Sequence, residues 1–299
     1  MWNIFWPLDN QEILPMLDMP HIIPLPQKRP DLDIGVVFTY ERDLMPPLLS
    51  SLKESGNGLC MRLMLVDNCS EGSVESYQEY FPDTVVLKNT ARLHYAANLN
   101  LVLRASTAKY ILLLNTDMIF DPEEQCLTRM VAFMNSHPDC GIAGCRLYRA
   151  DGRFAYPARR FQTMPMILAR RLGIGKLFKG SLDYYLYREH AISDSFCCDW
   201  LSGCFMMIRR EAFEDVGCFD EGFIKYFEDV DMCLRMARAG WQVMYYGGTY
   251  CYHLEQRASK WFFSADARKH LRSYFRWLWK WGFTPERYAT PPAARRIAG

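Results

Sequence analysis

At 299 residues, half of them hydrophobic, the chain can bury one large α/β core, alone or with an appendage. A net charge of +1 gives no reason to expect nucleic acid as a partner. The eleven cysteines include no CxxC pair and no zinc-ligand spacing, so reduced, mostly buried thiols are expected.

Residues 1–33 carry Pro7, Pro15, Pro20, Pro24, Pro26 and Pro30 behind Trp2, Phe5 and Trp6. That proline density precludes a long helix and predicts an extended leader. Its aromatics either pack on the body or touch a membrane, and the sequence leaves both open. The chain does not open with a basic region followed by an apolar core, so no signal peptide is expected and the cytoplasm is the expected location. No apolar run reaches transmembrane length.

Ile34–Thr39 reads as a first buried strand, ending at Tyr40-Glu41-Arg42. A helix follows, in which Pro46 and Pro47 are tolerable only within the first turn. Leu63–Val66 runs as a second strand into Asp67-Asn68, and Thr84–Leu87 makes a third. Ala96–Leu103 is apolar at helical spacing. Ile111–Leu114 then runs into Asn115-Thr116-Asp117, a polar triplet just past the carboxyl end of a central strand, where open α/β sheets bind ligands. An aspartate there can ligate a divalent metal and through it a diphosphate; the plainer alternative is a turn that satisfies backbone groups. Asp121-Pro122-Glu123-Glu124 reads as the start of the next helix, with Asp121 as its cap.

Gly141–Cys145 reads as a strand followed by a hairpin turning at Asp151-Gly152. Residues 158–195 mix Arg159, Arg160, Arg170, Arg171, Lys176 and Lys179 with aromatics and lack a clear period, which predicts an insertion near the site. Its basic residues either meet a phosphate-bearing acceptor or stand in solvent. Phe205–Ile208 is a further strand and Arg210–Val216 a short helix. Glu228, Asp229 and Asp231 open a helix that stops at Gly240, and Trp241–Tyr246 and Thr249–His253 read as two last strands. A carboxylate in that acidic turn, at an ordinary pKa near ~4, is ionised and can accept a proton from a hydroxyl. An acidic first turn complementing the helix dipole is the bland alternative. Strands alternating with helices across short connections predict an α/β fold with a doubly wound, mostly parallel sheet flanked by helices. Neither GxGxxG after the first strand nor a GxxxxGK[ST] loop is present.

The tail repeats Arg268, Arg272, Arg276 and Lys280 at every fourth position, with Leu271, Tyr274, Phe275 and Leu278 on a different face. Residues 254–299 carry a net +7, leaving −6 for the rest, which suggests an anionic surface as partner. Such a helix either lies in an anionic membrane interface or packs on the body.

The ordered segments Thr39-Tyr40, Val66-Asp67-Asn68, Asn115-Thr116-Asp117, Trp200-Leu201-Ser202-Gly203, Phe227–Cys233 and His253 resemble the family 2 inverting glycosyltransferases. Within them the chain is most similar to the rhamnosyltransferase-like branch of bacterial polysaccharide synthesis. The resemblance implies a GT-A catalytic domain over residues 34–257, after the 1–33 leader and before a basic amphipathic tail over 258–299. It also implies a nucleotide-sugar donor, a divalent metal (Mg²⁺ or Mn²⁺), and transfer of a sugar such as rhamnose to a growing glycan or lipid-linked saccharide. By the same resemblance Thr39, Tyr40, Glu41 and Asp67 hold the nucleoside, and Arg92, Asn98, Asn115 and Thr116 contribute to the donor site. Asp117 ligates the metal with His253, Asp229 is the general base, and Trp200 and Glu228 line the acceptor pocket. The sequence departs from the family pattern at His94, where a glycine is expected, and at Asn115, which replaces the first acid of DxD. A nucleotide-sugar or glycan binding protein that kept this fold without turnover is the alternative from another class.

Overall fold

The computed structural model describes residues 29–70, 74–161, 179–254 and 265–282. Most of the expected leader, residues 162–178 of the insertion and residues 283–299 of the tail lie outside the described residues. The first half runs β1 (Leu32–Phe38), α1 (Met45–Glu54), β2 (Met61–Asp67), β3 (Val85–Lys88), α2 (Tyr95–Ala105), β4 (Tyr110–Leu114), β5 (Met118–Ile119) and α3 (Cys126–Ser136). The second half runs β6 (Cys140–Tyr148), β7 (Ala158–Arg159), α4 (Lys179–Tyr185), β8 (Phe196–Cys197), β9 (Trp200–Leu201) and β10 (Phe205–Arg209). It ends with α5 (Arg210–Val216), α6 (Glu228–Ala239), β11 (Gln242–His253) and α7 (Ala265–Trp281).

The main sheet has the order β3-β2-β1-β4-β10-β6-β11-β5. Strands β1 to β4 are parallel, as the continuous apolar runs require for strands covered on both faces. One core lies under α1 and α3, and the other under α2, α6 and α7. The second half is mixed: β10 runs antiparallel to both β4 and β6, while β6 and β11 are parallel.

Local chemistry moves several expected boundaries. Helix α3 begins at Cys126, after Gln125 in the left-handed conformation, and Asp121 does not cap it. The Asp121 carboxylate instead accepts the Glu123 N–H at 3.1 Å and the Tyr250 hydroxyl at 2.9 Å, which makes it a turn residue. The two expected last strands are one, β11, with a register shift between Tyr246 and Tyr250. The hairpin at Asp151-Gly152 forms as expected, closed by the Arg149 N–H to the Arg153 carbonyl. Gly240 ends α6 with φ 92°, a conformation that favours glycine.

Helix α7 packs one face on the body, as one of the two readings of the tail expects. Tyr274, Trp277 and Trp281 are buried, and burying each aromatic ring contributes roughly 2 kcal/mol or more. Arg276 and Lys280 leave the basic stripe to pair with Asp220 at 2.7 and 2.8 Å, and Lys280 also reaches Asp231 at 2.7 Å. The outward face keeps a second apolar stripe, with Leu271, Phe275 and Trp279 at 38, 60 and 84 % exposure, beside the exposed Arg268 and Arg272. Among the described residues no helix is long and apolar enough to cross a membrane.

Candidate active site

Sheet register delivers the first wall of the site. Phe38 pairs with Asp67 and Val36 with Leu114, so the chain leaves β1, β2 and β4 along one rim. The Asn68 N–H donates to the Phe38 carbonyl, the Asn89 N–H to the Asp67 carbonyl and the Asn115 N–H to the Cys204 carbonyl, at 2.9, 2.9 and 3.1 Å. A cleft of about 1190 Å³ opens on that rim. Of the residues singled out from sequence, Thr39, Tyr40, Glu41, Asn98, Asn115, Thr116, Asp117, Glu228, Asp229 and His253 line it.

Three of the others stand behind this lining. Asp67 closes its own turn, its carboxylate accepting the Ser70 N–H at 2.8 Å. The Arg92 guanidinium lies 4.5 Å over the Tyr40 ring, itself 63 % exposed, and so stiffens an aromatic platform without lining the cleft. Trp200 is buried; its indole N–H donates to the Arg160 carbonyl at 2.9 Å and its face carries the Arg159 guanidinium at 4.9 Å. Trp200 therefore supports Arg159, which does line the cleft.

The loop between β3 and α2 is built by amides. Asn68 and Asn98 both donate to the Leu93 carbonyl at 3.2 Å, and Asn68 accepts the Leu93 N–H at 2.8 Å. Glu41 folds back so that one carboxylate oxygen accepts the Thr39 and Tyr40 N–H groups at 3.0 and 2.8 Å. His94 caps α2 with φ −70° and ψ 161°, extended backbone that any residue adopts, so histidine in place of the family's glycine costs no strain.

Asp117 and His253 meet at 3.2 Å between carboxylate oxygen and Nε2. The short strand β5 pairs with the end of β11, and the Leu254 N–H donates to the Asp117 carbonyl at 2.9 Å. Burial opposes the imidazolium, yet Asp117 and Cys204 hold its proton and raise the pKa to about 10. Two donors at this spacing fit neighbouring positions around one ion with bonds near ~2.1 Å. Asn115 is turned aside: its amide oxygen accepts the Tyr95 hydroxyl at 2.9 Å, which leaves Asp117 as the acid of the triplet.

On the opposite side, Tyr226 and Phe227 have φ 67° and 71°, two successive left-handed non-glycine residues just before α6. Such positions cost about 1–3 kcal/mol each and cluster at functional sites. Burial of Phe227 against Tyr274 and Trp277 of α7 holds the turn. It delivers Asp229 to Gly203, whose N–H donates to one carboxylate oxygen at 3.0 Å while the Val230 N–H donates to the other at 2.9 Å. A Cβ on Gly203 would stand 3.3 Å from the Asp229 Cβ, so glycine permits this approach. Burial raises the Asp229 pKa against the pull of the two N–H donors and Arg159. Burial and then the Asp229 charge push Glu228 up to about 8, above the ordinary value expected from sequence, and its Oε2 has no hydrogen-bond partner among the described residues. At neutral pH the coupled pair therefore keeps a proton, and burial with the neighbouring Asp229 charge favours Glu228 as its holder. Asp231, the third acid of the cluster, is fully buried and bonded to Arg235 and to the Trp281 indole N–H, so it clamps α7 and lies outside the cleft.

Tyr95, Arg149, Cys204, Lys225 and Lys269 also line the cleft without a sequence signal, and Arg159, expected only as one of several basic residues near the site, joins them. Arg159 lay in the stretch without a period, and Lys269 sits on the tail helix, whose docking no local pattern foretells.

Residues 33–217 match the family described as Glycosyl transferase family 2. The chain is 32 % identical over 178 residues to "Rhamnosyltransferase WbbL" of Escherichia coli (strain K12), covering 58 % of this chain and 63 % of the relative. It is 25 % identical over 227 residues to "N-acetylglucosaminyl-diphospho-decaprenol L-rhamnosyltransferase" of Mycobacterium tuberculosis (strain CDC 1551 / Oshkosh), covering 71 % of each. A solved structure of the mannosyltransferase PcManGT from Pyrobaculum calidifontis, in complex with GDP-Man and Mn²⁺, superimposes with TM-score 0.54. That match has 18 % identity and covers 92 % of this chain and 77 % of that one. This likeness shows the fold, an α/β GT-A architecture with a large mixed sheet.

Proposed function

The chain belongs to glycosyl transferase family 2, and from that premise we propose that it is an inverting glycosyltransferase. It moves a hexosyl group, with rhamnose the favoured sugar, from a nucleotide-sugar donor to a growing glycan or lipid-linked saccharide. One observation carries the reading: a single cleft is lined by the Asp117–His253 pair and by Asp229 with Glu228. That combination holds a diphosphate on one side and activates a hydroxyl on the other.

Thr39, Tyr40 and Glu41 receive the nucleoside, with the exposed Tyr40 ring as platform. Asp117 and His253 are the residues that would hold a divalent ion, Mg²⁺ or Mn²⁺, which when bound neutralises charge on a departing diphosphate. Arg149, Arg159, Lys225 and Lys269 add positive charge to the cleft walls. Asp229, ionised and fixed by two backbone N–H groups, takes the acceptor hydroxyl proton as the oxygen attacks the anomeric carbon. One such displacement inverts the anomeric centre. Protonated Glu228 donates a hydrogen bond to the acceptor. We further propose a cytoplasmic enzyme peripheral to the inner face of a membrane, seated through the outward stripe of α7 and its flanking arginines. The stripe suits a lipid-linked acceptor, since Lys269 of the same helix lines the cleft.

The test is release of nucleoside diphosphate from a panel of nucleotide sugars with Mg²⁺ or Mn²⁺ and a lipid-diphosphate saccharide acceptor. Acceptor-dependent release from one donor supports the reading; binding of a donor without release on any acceptor supports the turnover-free alternative.

A further inference from the structure

Cys126, Cys145 and Cys251 converge although no spacing in the sequence groups them. Cys126 is the first residue of α3, Cys145 lies in β6 and Cys251 in β11, and all three are fully buried. The Cys126 and Cys145 sulfurs stand 3.9 Å apart, the Cys145 and Cys251 sulfurs 3.6 Å, and all three lie within 4.8 Å of one another. Thiolates bound to one zinc ion at ~2.3 Å in tetrahedral geometry stand roughly 3.8 Å apart. Among the described residues no other set of three His, Cys, Asp or Glu ligand atoms closes in this way.

A second observation concerns the surroundings. Thr249 is fully buried, and its hydroxyl lies beside the Cys126 thiol without making a well-formed hydrogen bond among the described residues. A buried hydroxyl whose one neighbour is a poorly placed thiol costs free energy, and a metal-bound water would satisfy it better. The N-terminus of α3 further favours a thiolate at Cys126.

We propose that Cys126, Cys145 and Cys251 form a structural site for a thiophilic d¹⁰ ion of the zinc class, with Thr249 beside the fourth position. The site is separate from the Asp117–His253 pair, whose carboxylate and imidazole suit a harder ion. Binding would exchange the thiol protons for the metal and tie α3 to β6 and β11. Cys251 lies two residues before His253 on the same face of β11, so the tie would also steady the strand end that presents His253.

The test uses the full reduced chain, stripped with a chelator and titrated anaerobically with Co²⁺ and then Zn²⁺. The expected result is a thiolate-to-cobalt charge-transfer band that saturates at one equivalent and is displaced by Zn²⁺. Cys145→Ala should abolish the band, whereas the double variant of the exposed thiols, Cys60→Ser with Cys197→Ser, should keep it. If Cys145→Ala does not fold, alkylation of the wild-type chain in moderate urea decides: zinc should protect these three cysteines and not Cys60 or Cys197. No band in the wild type, a band that survives Cys145→Ala, or no selective protection by zinc would overturn the proposal.

Discussion

The Asp117 carboxylate and the His253 imidazole, 136 positions apart in sequence, meet at 3.2 Å because β5 pairs with the end of β11. The pair holds a proton on His253 with a pKa of about 10, against an ordinary value of 6.5. This raised pKa gives stability that is fully present below pH ~6.5 and is lost as pH rises through ~10. A metal must displace that proton. Mn²⁺ affinity in the presence of nucleoside diphosphate should therefore rise with pH between ~7 and ~9, by up to about tenfold per unit, with one proton released per ion. Calorimetry in buffers of different ionisation enthalpy measures both quantities. Asp117→Ala should remove metal-dependent nucleotide binding; unchanged metal-dependent affinity would take Asp117 out of the ligand set.

Glu228 is protonated in the folded state at neutral pH and ionised in the unfolded chain, so the folded state binds more protons between pH ~4.5 and ~8. Its burial thus lowers stability progressively as pH rises through that window. Glu228→Gln keeps the shape and removes the titration. The variant should gain ~1 kcal/mol or more over wild type at pH 8, and less at pH 5, in urea unfolding. In steady-state assays it should raise the acceptor KM more than it lowers kcat.

A Cβ on Gly203 would press on Asp229, 3.3 Å from its Cβ and 3.4 Å from a carboxylate oxygen. Gly203→Ala should shift the Asp229 side chain by a few tenths of an ångström and loosen its hydrogen bond from the Gly203 N–H while leaving the Asp117–His253 wall intact. The expected signature is a transfer rate lower by roughly 10-fold or more with donor affinity near wild type, since a small misplacement of a reacting group is costly. Equal loss of donor affinity would mean that the substitution disturbs the whole cleft.

Most of the first half of the fold was legible, because β1, β2 and β4 are buried on both faces and read as unbroken apolar runs ending in polar residues. The strand-end residues Thr39, Asn115 and Asp117 follow from that pattern by sheet geometry alone. Direction in the second half was not legible: Phe205–Ile208 looks the same whether it runs parallel or antiparallel. The roles of Trp200 and Asp231 were hidden for a different reason. Each depends on a tertiary neighbour, Arg159 for one and α7 for the other, and local sequence records neither. The raised pKa of Glu228 likewise arises from burial against Asp229, which spacing shows only as two adjacent acids.

The outward stripe of α7 should bind membranes without contributing to the chemistry. Replacing Leu271, Phe275 and Trp279 together with serine removes mainly exposed apolar surface and spares the buried Tyr274, Trp277 and Trp281, so the protein should remain folded, which circular dichroism checks. Sedimentation with anionic liposomes should fall several-fold, and transfer to a water-soluble acceptor should persist. Arg268→Ala with Arg272→Ala should weaken binding to anionic vesicles more than to zwitterionic ones. Undiminished sedimentation of the triple variant would make the stripe irrelevant to membranes.

The reading of the cleft as a transferase site rests on Asp229 as the base, and Asp229→Asn tests it most directly. The substitution keeps the volume, still accepts one backbone N–H, and removes the basicity that matters only as the hydroxyl attacks. Donor affinity by calorimetry and the transfer rate at saturating donor are measured on the same folded preparation. The expected result is donor affinity near wild type with the rate down roughly 10²-fold or more. Near-normal transfer by the folded variant would contradict the assignment; the buried, ion-paired Asp231 could not replace it, and the cleft would need a different base.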